Sequence, residues 1–308
     1  MERYIGMASR RTGQQLTKVF LALIIAAGTL AVGGPPAAPL SSTAAAAAPA
    51  AQDWPTFLHD NARSSASTEA ILTKANAPYL NLKWAYKTGG IVAASPAVVN
   101  GVVHVGSWDG NEYAFNGSTG AVLWKTFLGT THDPVCFPPD LGITSSPAVV
   151  NNVVYVGGGD SYWYALNAST GAVLWKVFTG DNTQAGAHYN WASPLIVGNF
   201  AYIGIASNCD APLVQGQLLK VDLTTHQVVA TANMVPNGQV GGGIWTSPTY
   251  DAANNAIFVS TGTLNLYSQQ LSQAIVKMDA TSLAITDHWQ LPFEAAVSDS
   301  DWGTTPTL

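Results

Sequence analysis

The sequence predicts an all-β fold: a β-propeller of four-stranded antiparallel blades, with about four blades present and the chain truncated on its C-terminal side. Three observations carry this expectation. A segment repeats, each copy holds four short runs of strand character, and turn residues separate the runs at fixed offsets. Residues 95–125 read SPAVVNGVVHVGSWDGNEYAFNGSTGAVLWK and residues 146–176 read SPAVVNNVVYVGGGDSYWYALNASTGAVLWK, with 22 of 31 positions identical and no gap. Weaker copies open at Ser193-Pro194 and Ser247-Pro248, and a fifth opening stands at Thr305-Pro306. The opening prolines are spaced by 51, 47, 54 and 58 residues, close to the length of one propeller blade.

In the first copy the strand runs are Ala97–Val99, Val102–Gly106, Glu112–Asn116 and Ala121–Lys125. Val, Tyr, Phe and Trp dominate them, as half-buried pleated surfaces favour. Asn100-Gly101 suits a two-residue turn with positive φ, Asp109-Gly110 suits the second turn, and Ser118-Thr119-Gly120 suits the third, with Asn116 placed for an Asx turn. A solenoid or a sandwich is the alternative, but four hairpin-linked strands per repeat favour radial blades. Trp124 and Trp175 fall at equal places in the outer strand. Each buries at most about 150–250 Å², worth about 4–6 kcal/mol, enough to weld a blade to its neighbour. Ala230 and Asp287 hold that place in the third and fourth copies, so those welds are weaker or made differently, with Trp289 two positions on as a substitute. Residues 81–87, NLKWAYK, read as an outer strand with Trp84 at the tryptophan place. No inner strands precede it, which is expected if the N-terminal segment completes the last blade and leaves no open edge. The C-terminal partner for that closure is missing, hence the truncation; a four-bladed ring is the alternative.

Residues 1–34 read as a signal peptide or membrane anchor, 35–52 as an Ala/Pro-rich spacer, and 53–308 as the propeller, with blades starting near 95, 146, 193, 247 and 305. Arg10, Arg11 and Lys18 precede an apolar run from Val19 to Val32. That run falls short of the roughly 18 residues expected of a membrane span. The expected location is secreted, periplasmic or at the cell surface, with membrane contact only if the first segment stays uncleaved. The chain is 47% hydrophobic and 10% charged. Beyond residue 52, eight basic residues face seventeen acidic ones and Arg63 is the one arginine. Such a surface has no footprint for a phosphate backbone and excludes nucleic acid as partner.

Strand order gathers the long inter-blade connections and Trp108–Asn111 at one mouth of the ring, the natural place for a site. His188-Tyr189-Asn190-Trp191, Gly241-Gly242-Gly243-Ile244-Trp245 and Asp299-Ser300-Asp301-Trp302 precede inner strands and crowd that mouth. Trp191, Trp245 and Trp302 suit stacking on a flat ligand, and Asp299 and Asp301 suit a cation; in the alternative, the tryptophans fill the channel and the aspartates cap turns. Gly241–Gly243 precede a strand and lack a following Lys-Ser/Thr, so close packing explains them better than phosphate binding. His188 lacks an evident nucleophile partner, and no catalytic residue is assigned. Cys136 and Cys209 lie on mouth loops and are expected to pair as a disulfide in an oxidising compartment.

Ser-Pro-Ala-Val-Val, Val-Gly-x-x-Asp-Gly, Tyr-Ala-x-Asn and Thr-Gly-x-x-x-Trp in residues 95–125 resemble the pyrroloquinoline-quinone-type propeller repeat. The resemblance runs over about residues 53–308 and includes the lead-in WPTFLHDNARSS, which is similar to the N-terminal stretch of exported members. It implies the fold and leaves function open, because the family holds quinoprotein alcohol dehydrogenases and also cofactor-free scaffolds, the best known serving outer-membrane protein assembly. Residues 260–303 resemble the dehydrogenase part that carries a calcium ligand and the catalytic aspartate. There Thr263 follows Thr261-Gly262, Asn265 comes two positions late as the implied calcium ligand, and Ser268 falls near the expected acid. Asp299 and Asp301 match a later acidic motif, and the vicinal cysteine pair of the larger dehydrogenases is absent. The cofactor is therefore left unassigned, with pyrroloquinoline quinone and calcium unsupported by the full motif. The expected function is a non-catalytic binding or scaffold module that takes a protein or small molecule at the propeller mouth. The alternative is a quinone- and calcium-dependent dehydrogenase acting on an alcohol or sugar.

Overall fold

Turn chemistry sets where each repeat reverses. In a computed structural model, which describes residues 53–295 and 301–308 and the backbone of residues 4–9, Asn100 and Gly101 take φ of 51° and 74°, and Asn151 and Asn152 take 50° and 62°. Two consecutive positive φ values are what a tight hairpin between right-twisted strands requires. The Asn116 side chain accepts the amides of Ser118 and Thr119, and Asn167 does the same for Ser169 and Thr170.

Strand β1 (Tyr4–Ser9) pairs antiparallel with β2 (Asn81–Lys87). Blade 1 follows as β3 (Ala97–Val99), β4 (Val102–Gly106), β5 (Asn111–Asn116) and β6 (Val122–Phe127), joined in that order. A short pair, β7 (Thr131–His132) and β8 (Asp140–Leu141), sits in the connection to blade 2. Blade 2 is β9 (Ala148–Val150), β10 (Val153–Gly157), β11 (Tyr162–Asn167) and β12 (Val173–Phe178). After β13 (His188–Tyr189), blade 3 is β14 (Leu195–Val197), β15 (Phe200–Ser207), β16 (Gln217–Asp222) and β17 (Gln227–Asn233). Blade 4 is β18 (Thr249–Asp251), β19 (Ala256–Ser260), β20 (Ala274–Asp279) and β21 (Ile285–Gln290). The register between third and outer strands slips at the same place in every blade, at Ala114/Phe115, Ala165/Leu166, Lys220/Val221 and Lys277/Met278. The remainder of segment 1–34 and the spacer 35–52 lie outside the described residues, and no described helix is long and apolar enough to cross a membrane.

Two hydrogen-bond patterns turn the sheets into a propeller. The backbone N–H of Ser95 donates to Ser146 Oγ (2.8 Å), Ser146 to Ser193 (3.1 Å), Ser193 to Ser247 (3.0 Å) and Ser247 to Thr305 Oγ1 (3.0 Å). Each blade opening is thus tied to the next by the hydroxyl of the repeat's Ser/Thr-Pro. The lead-in then crosses all five openings at the position two residues after the proline. Trp54 pairs with Val98, Pro55 accepts from Val149, Asn61 bonds Ile196 and Tyr250, and Ala62 accepts from Leu308. Arg63 is fully buried beneath this strap and donates to the carbonyls of Pro194, Pro248 and Phe57 and to Thr56 Oγ1.

The apolar core is a set of seams between adjacent sheets. One cluster joins β2 to blade 1, and three more join successive blades. Trp84 Nε1 donates to Gly117 O (3.0 Å) and Trp124 Nε1 to Ala168 O (2.8 Å), so each indole both fills a seam and bonds the next blade's outer turn. The glycine of Thr-Gly-x-x-x-Trp is explained here: a Cβ on Gly120 would stand 2.7 Å from the Trp84 ring, and on Gly171 2.6 Å from Trp124. Trp175 instead stacks on His226, with centroids 4.5 Å apart. In seam 3–4, where Ala230 replaces tryptophan, Tyr202 Oη and Lys220 Nζ both reach Ala280 O. Trp289 stays half exposed, at 51%.

Two expected outcomes follow from these contacts. Ser193→Ala leaves the buried Ser146 amide without its acceptor and lowers stability by about 1–3 kcal/mol in denaturant titration, while Ser193→Thr, the residue type found at Thr305, is near neutral. Glu112 is fully buried on the blade 2 side of β5, neither oxygen has a hydrogen-bond partner among the described residues, and burial pushes its carboxyl well above the ordinary range. A raised folded-state value means the folded protein holds a proton that the unfolded chain releases. Stability therefore falls as pH rises above the ordinary carboxylate range. Melting of Glu112→Gln against the natural chain should show a gain that is larger at pH 8 than at pH 4; an equal gain at both would contradict this.

Candidate ligand site at the channel mouth

The ends of β15 and β19 and the connections before blades 3 and 4 enclose a cavity of about 320 Å³ on the long-loop face. Glycines bring the walls close. A Cβ on Gly216 would strike Gly242 O at 1.8 Å, one on Gly243 would meet Ala206 at 3.1 Å, and one on Gly262 would meet Asp301 Oδ1 at 2.7 Å. Gly241–Gly243 therefore serve close backbone approach, with the N–H of Gly242 given to Thr263 O and that of Gly262 to Gly243 O.

Trp191 and Trp245 both line the cavity. Trp191 is fixed by Nε1 donation to Ser207 O (2.8 Å) and an edge contact with Tyr189. Trp245 Nε1 is buried and has no hydrogen-bond partner among the described residues. Trp302 does not line the cavity; it packs edge-on against Trp289, with centroids 5.7 Å apart. The sequence-based trio thus separates into two wall residues and one packing residue.

Asp301 lies in the cavity, whereas Asp299 lies outside the described residues. Asn265 does not line it; its backbone N–H donates to Gln269 Oε1, and Thr263, two residues earlier, faces the cavity instead. Ser268, at the place of the expected acid, belongs to a separate surface hollow with Asn233 and Gln269. His188 is occupied with the carbonyls of Gly186 and Asp181 outside the cavity.

Sequence reasoning missed Asp210 and Asn208. Cys136 and Cys209 are joined by a disulfide, which ties the blade 1–2 connection to the loop after β15. Asp210 follows directly with φ of 61°. One of its oxygens accepts from Ser207 Oγ and the other from Thr263 Oγ1. Thr263 Oγ1 also lies 3.2 Å from Asp301 Oδ1. A hydroxyl carries one proton, so it satisfies one of these carboxylates at a time. Asp210 and Asp301 thus meet at a single hydroxyl. Asn208, 5% exposed, adds an amide oxygen with no hydrogen-bond partner among the described residues. This all-oxygen donor set suits a hard cation such as calcium. Asp133 also lies against Cys136 and Cys209, but the sulfurs are consumed in the disulfide and offer no thiolate.

A family model described as "Outer membrane protein assembly factor BamB" matches residues 5–304. The chain is similar to polyvinylalcohol dehydrogenase of Sphingopyxis sp. (strain 113P3), 25% identical over 279 residues, covering 82% of this chain and 42% of the relative. It is also similar to quinohemoprotein alcohol dehydrogenase of Comamonas testosteroni, 29% identical over 252 residues, 71% of this chain and 34% of the relative. The crystal structure of the Comamonas testosteroni enzyme superposes with a TM-score of 0.64 at 23% identity, over 77% of this chain and 41% of that one, a likeness of fold. The chain thus spans less than half the length of each of these relatives.

If the carboxylate pair is a cation seat, calcium raises the melting temperature of the natural chain in a saturable way. Asp210→Asn and Asp301→Asn each reduce that rise by more than half, as differential scanning fluorimetry would report. A calcium response unchanged in both variants removes the seat.

Proposed function

We propose a function from one premise: the chain belongs to the PQQ-like propeller family whose model is described as outer membrane protein assembly factor BamB. The reading is a quinone-dependent dehydrogenase that oxidises an alcohol at the long-loop mouth, with a calcium-type cation beside the quinone. One observation carries it: Asp210 and Asp301 converge on Thr263 Oγ1 in a cavity walled by tryptophan and also lined by Asn208. The dehydrogenase relatives support the same class.

In this reading Trp191, Trp245 and the glycine backbone between the walls would receive the quinone, and Asn208, Asp210 and Asp301 would line the cation's seat. The quinone supplies the two-electron acceptor. One of the two carboxylates would accept the alcohol's hydroxyl proton, a contribution of about 10²–10⁴ in rate for the base. The disulfide fixes the loop that carries Asn208 and Asp210. The sequence favours a non-catalytic module because no acid stands at the expected place; Asp210 and Asp301 fill that chemical need from two other loops.

Export belongs to the same reading. The charged start followed by an apolar run and the Cys136–Cys209 bond both suit an oxidising compartment. Whether the partner of the mouth is a substrate or a protein is decided by assay. The full chain, given pyrroloquinoline quinone and calcium, should quench tryptophan emission and reduce an artificial electron-accepting dye when alcohol is added. Asp301→Asn should lose at least about a hundredfold in turnover while still folding. No quenching and no dye reduction would overturn the dehydrogenase and leave the protein-binding scaffold.

A further inference from the structure

The seam between blades 1 and 2 is filled differently from its neighbours. Strand pairing defines equivalent positions: His104 stands opposite Ala97, Tyr155 opposite Ala148, Tyr202 opposite Leu195 and Phe258 opposite Thr249. In seam 2–3, Tyr155 stacks on Trp163 with centroids 5.5 Å apart and planes 11° apart. In seam 3–4, the Tyr202 ring fills the space and its hydroxyl bonds Ala280 O at 2.6 Å. His104 puts a smaller ring at the same place, 5.6 Å from the Trp124 ring.

Beside it a cleft of about 520 Å³ opens on the face of the Asn-Gly turns, away from the mouth. Val102, Leu123 and Val149 wall it, and Asn151, Asn152 and Ser169 rim it. His104 is 2% exposed, and its Nδ1 finds no hydrogen-bond partner among the described residues. Burial holds the imidazole neutral by lowering its titration to about 4. A neutral imidazole has one donor and one acceptor nitrogen. A cleft of this size with apolar walls, a polar rim and an imidazole in its lining has the make-up of a small-molecule site. The following two seams carry a phenol side chain at the equivalent place, Tyr155 and Tyr202.

We propose that this cleft binds a small phenol-type ligand, an aromatic ring bearing one hydroxyl, seated against His104 between blades 1 and 2. The ring lies in the cleft beside the place that Tyr155 and Tyr202 hold in the following seams. The hydroxyl pairs with the His104 imidazole in the cleft's lining. The site is independent of the quinone reading, since none of its residues lines the mouth.

Titration calorimetry of the full chain with phenol tests it, with benzene and cyclohexanol as probes that lack the hydroxyl and the aromatic ring. Saturable one-to-one binding of phenol, at least tenfold tighter than either probe, is expected. His104→Tyr supplies the ring covalently and should abolish that binding while keeping or raising the melting temperature. It also separates this cleft from the mouth, where the variant leaves any stacking on tryptophan intact. His104→Ala covers the case in which the tyrosine variant does not fold: it should still bind phenol but lose the tenfold preference over benzene. Absence of saturable phenol binding, undiminished binding in a folded His104→Tyr, or a retained hydroxyl preference in His104→Ala overturns the proposal.

Discussion

A hydroxyl at the head of each innermost strand governs this molecule. Ser146, Ser193, Ser247 and Thr305 each accept the backbone N–H of the corresponding residue one blade earlier. The bonds lie where several sheets converge on the axis, and burial there makes an unpaired amide expensive. Proline next in the chain offers no N–H and holds the opening extended, so the one amide that needs an acceptor is the serine's own. The strap from Trp54 to Arg63 then satisfies the free edges of the same strands. Arg63 is the one arginine beyond residue 52, and its chemistry fits its place: the planar fork spreads over several converging carbonyls that a lysine could not bond together.

With the inner ends fixed, the seams are free to differ, and they do. Indole to carbonyl in the first two seams gives way to tyrosine and lysine to carbonyl in seam 3–4. The acceptors are equivalent: Gly117, Ala168 and Ala280 occupy the same outer turn of blades 1, 2 and 4. What the repeat retains is an acceptor that must be met, not the residue that meets it. Seam 1–2 breaks the pattern by placing His104 and Glu112 where blade 2 has Tyr155 and Trp163. Both are buried, with a nitrogen or oxygens that have no hydrogen-bond partner among the described residues, a cost that an apolar pair would not carry.

The mouth is polar for a different reason. Its residues come from loops that close packing at the axis forces together, and glycine at 216, 243 and 262 permits the approach. Asp210 and Asp301 are 91 residues apart in sequence yet meet at Thr263. The disulfide anchors the loop of Asn208 and Asp210 from across blade 2, so the donor set is held from two sides.

The repeat alone determined the propeller, because strand, turn and packing signals recur at the same offsets: Asn100-Gly101, Asn116 and Gly120 can be read directly, since turn geometry depends on neighbours in the chain. It also marked the tryptophans, Asp301 and the two cysteines as mouth residues, since loop side follows from strand order. It did not reveal that Thr263 rather than Asn265 faces the cavity, that Trp302 packs on Trp289, or that Asp210 completes an acidic pair. Those depend on how three loops with no common motif fold over one another. Nor did the repeat show why its serines are there, because their partners sit one full blade away. Local conformational preference is written in adjacent residues; a ligand site is a meeting of distant ones, and only the closed packing of blades around an axis arranges that meeting.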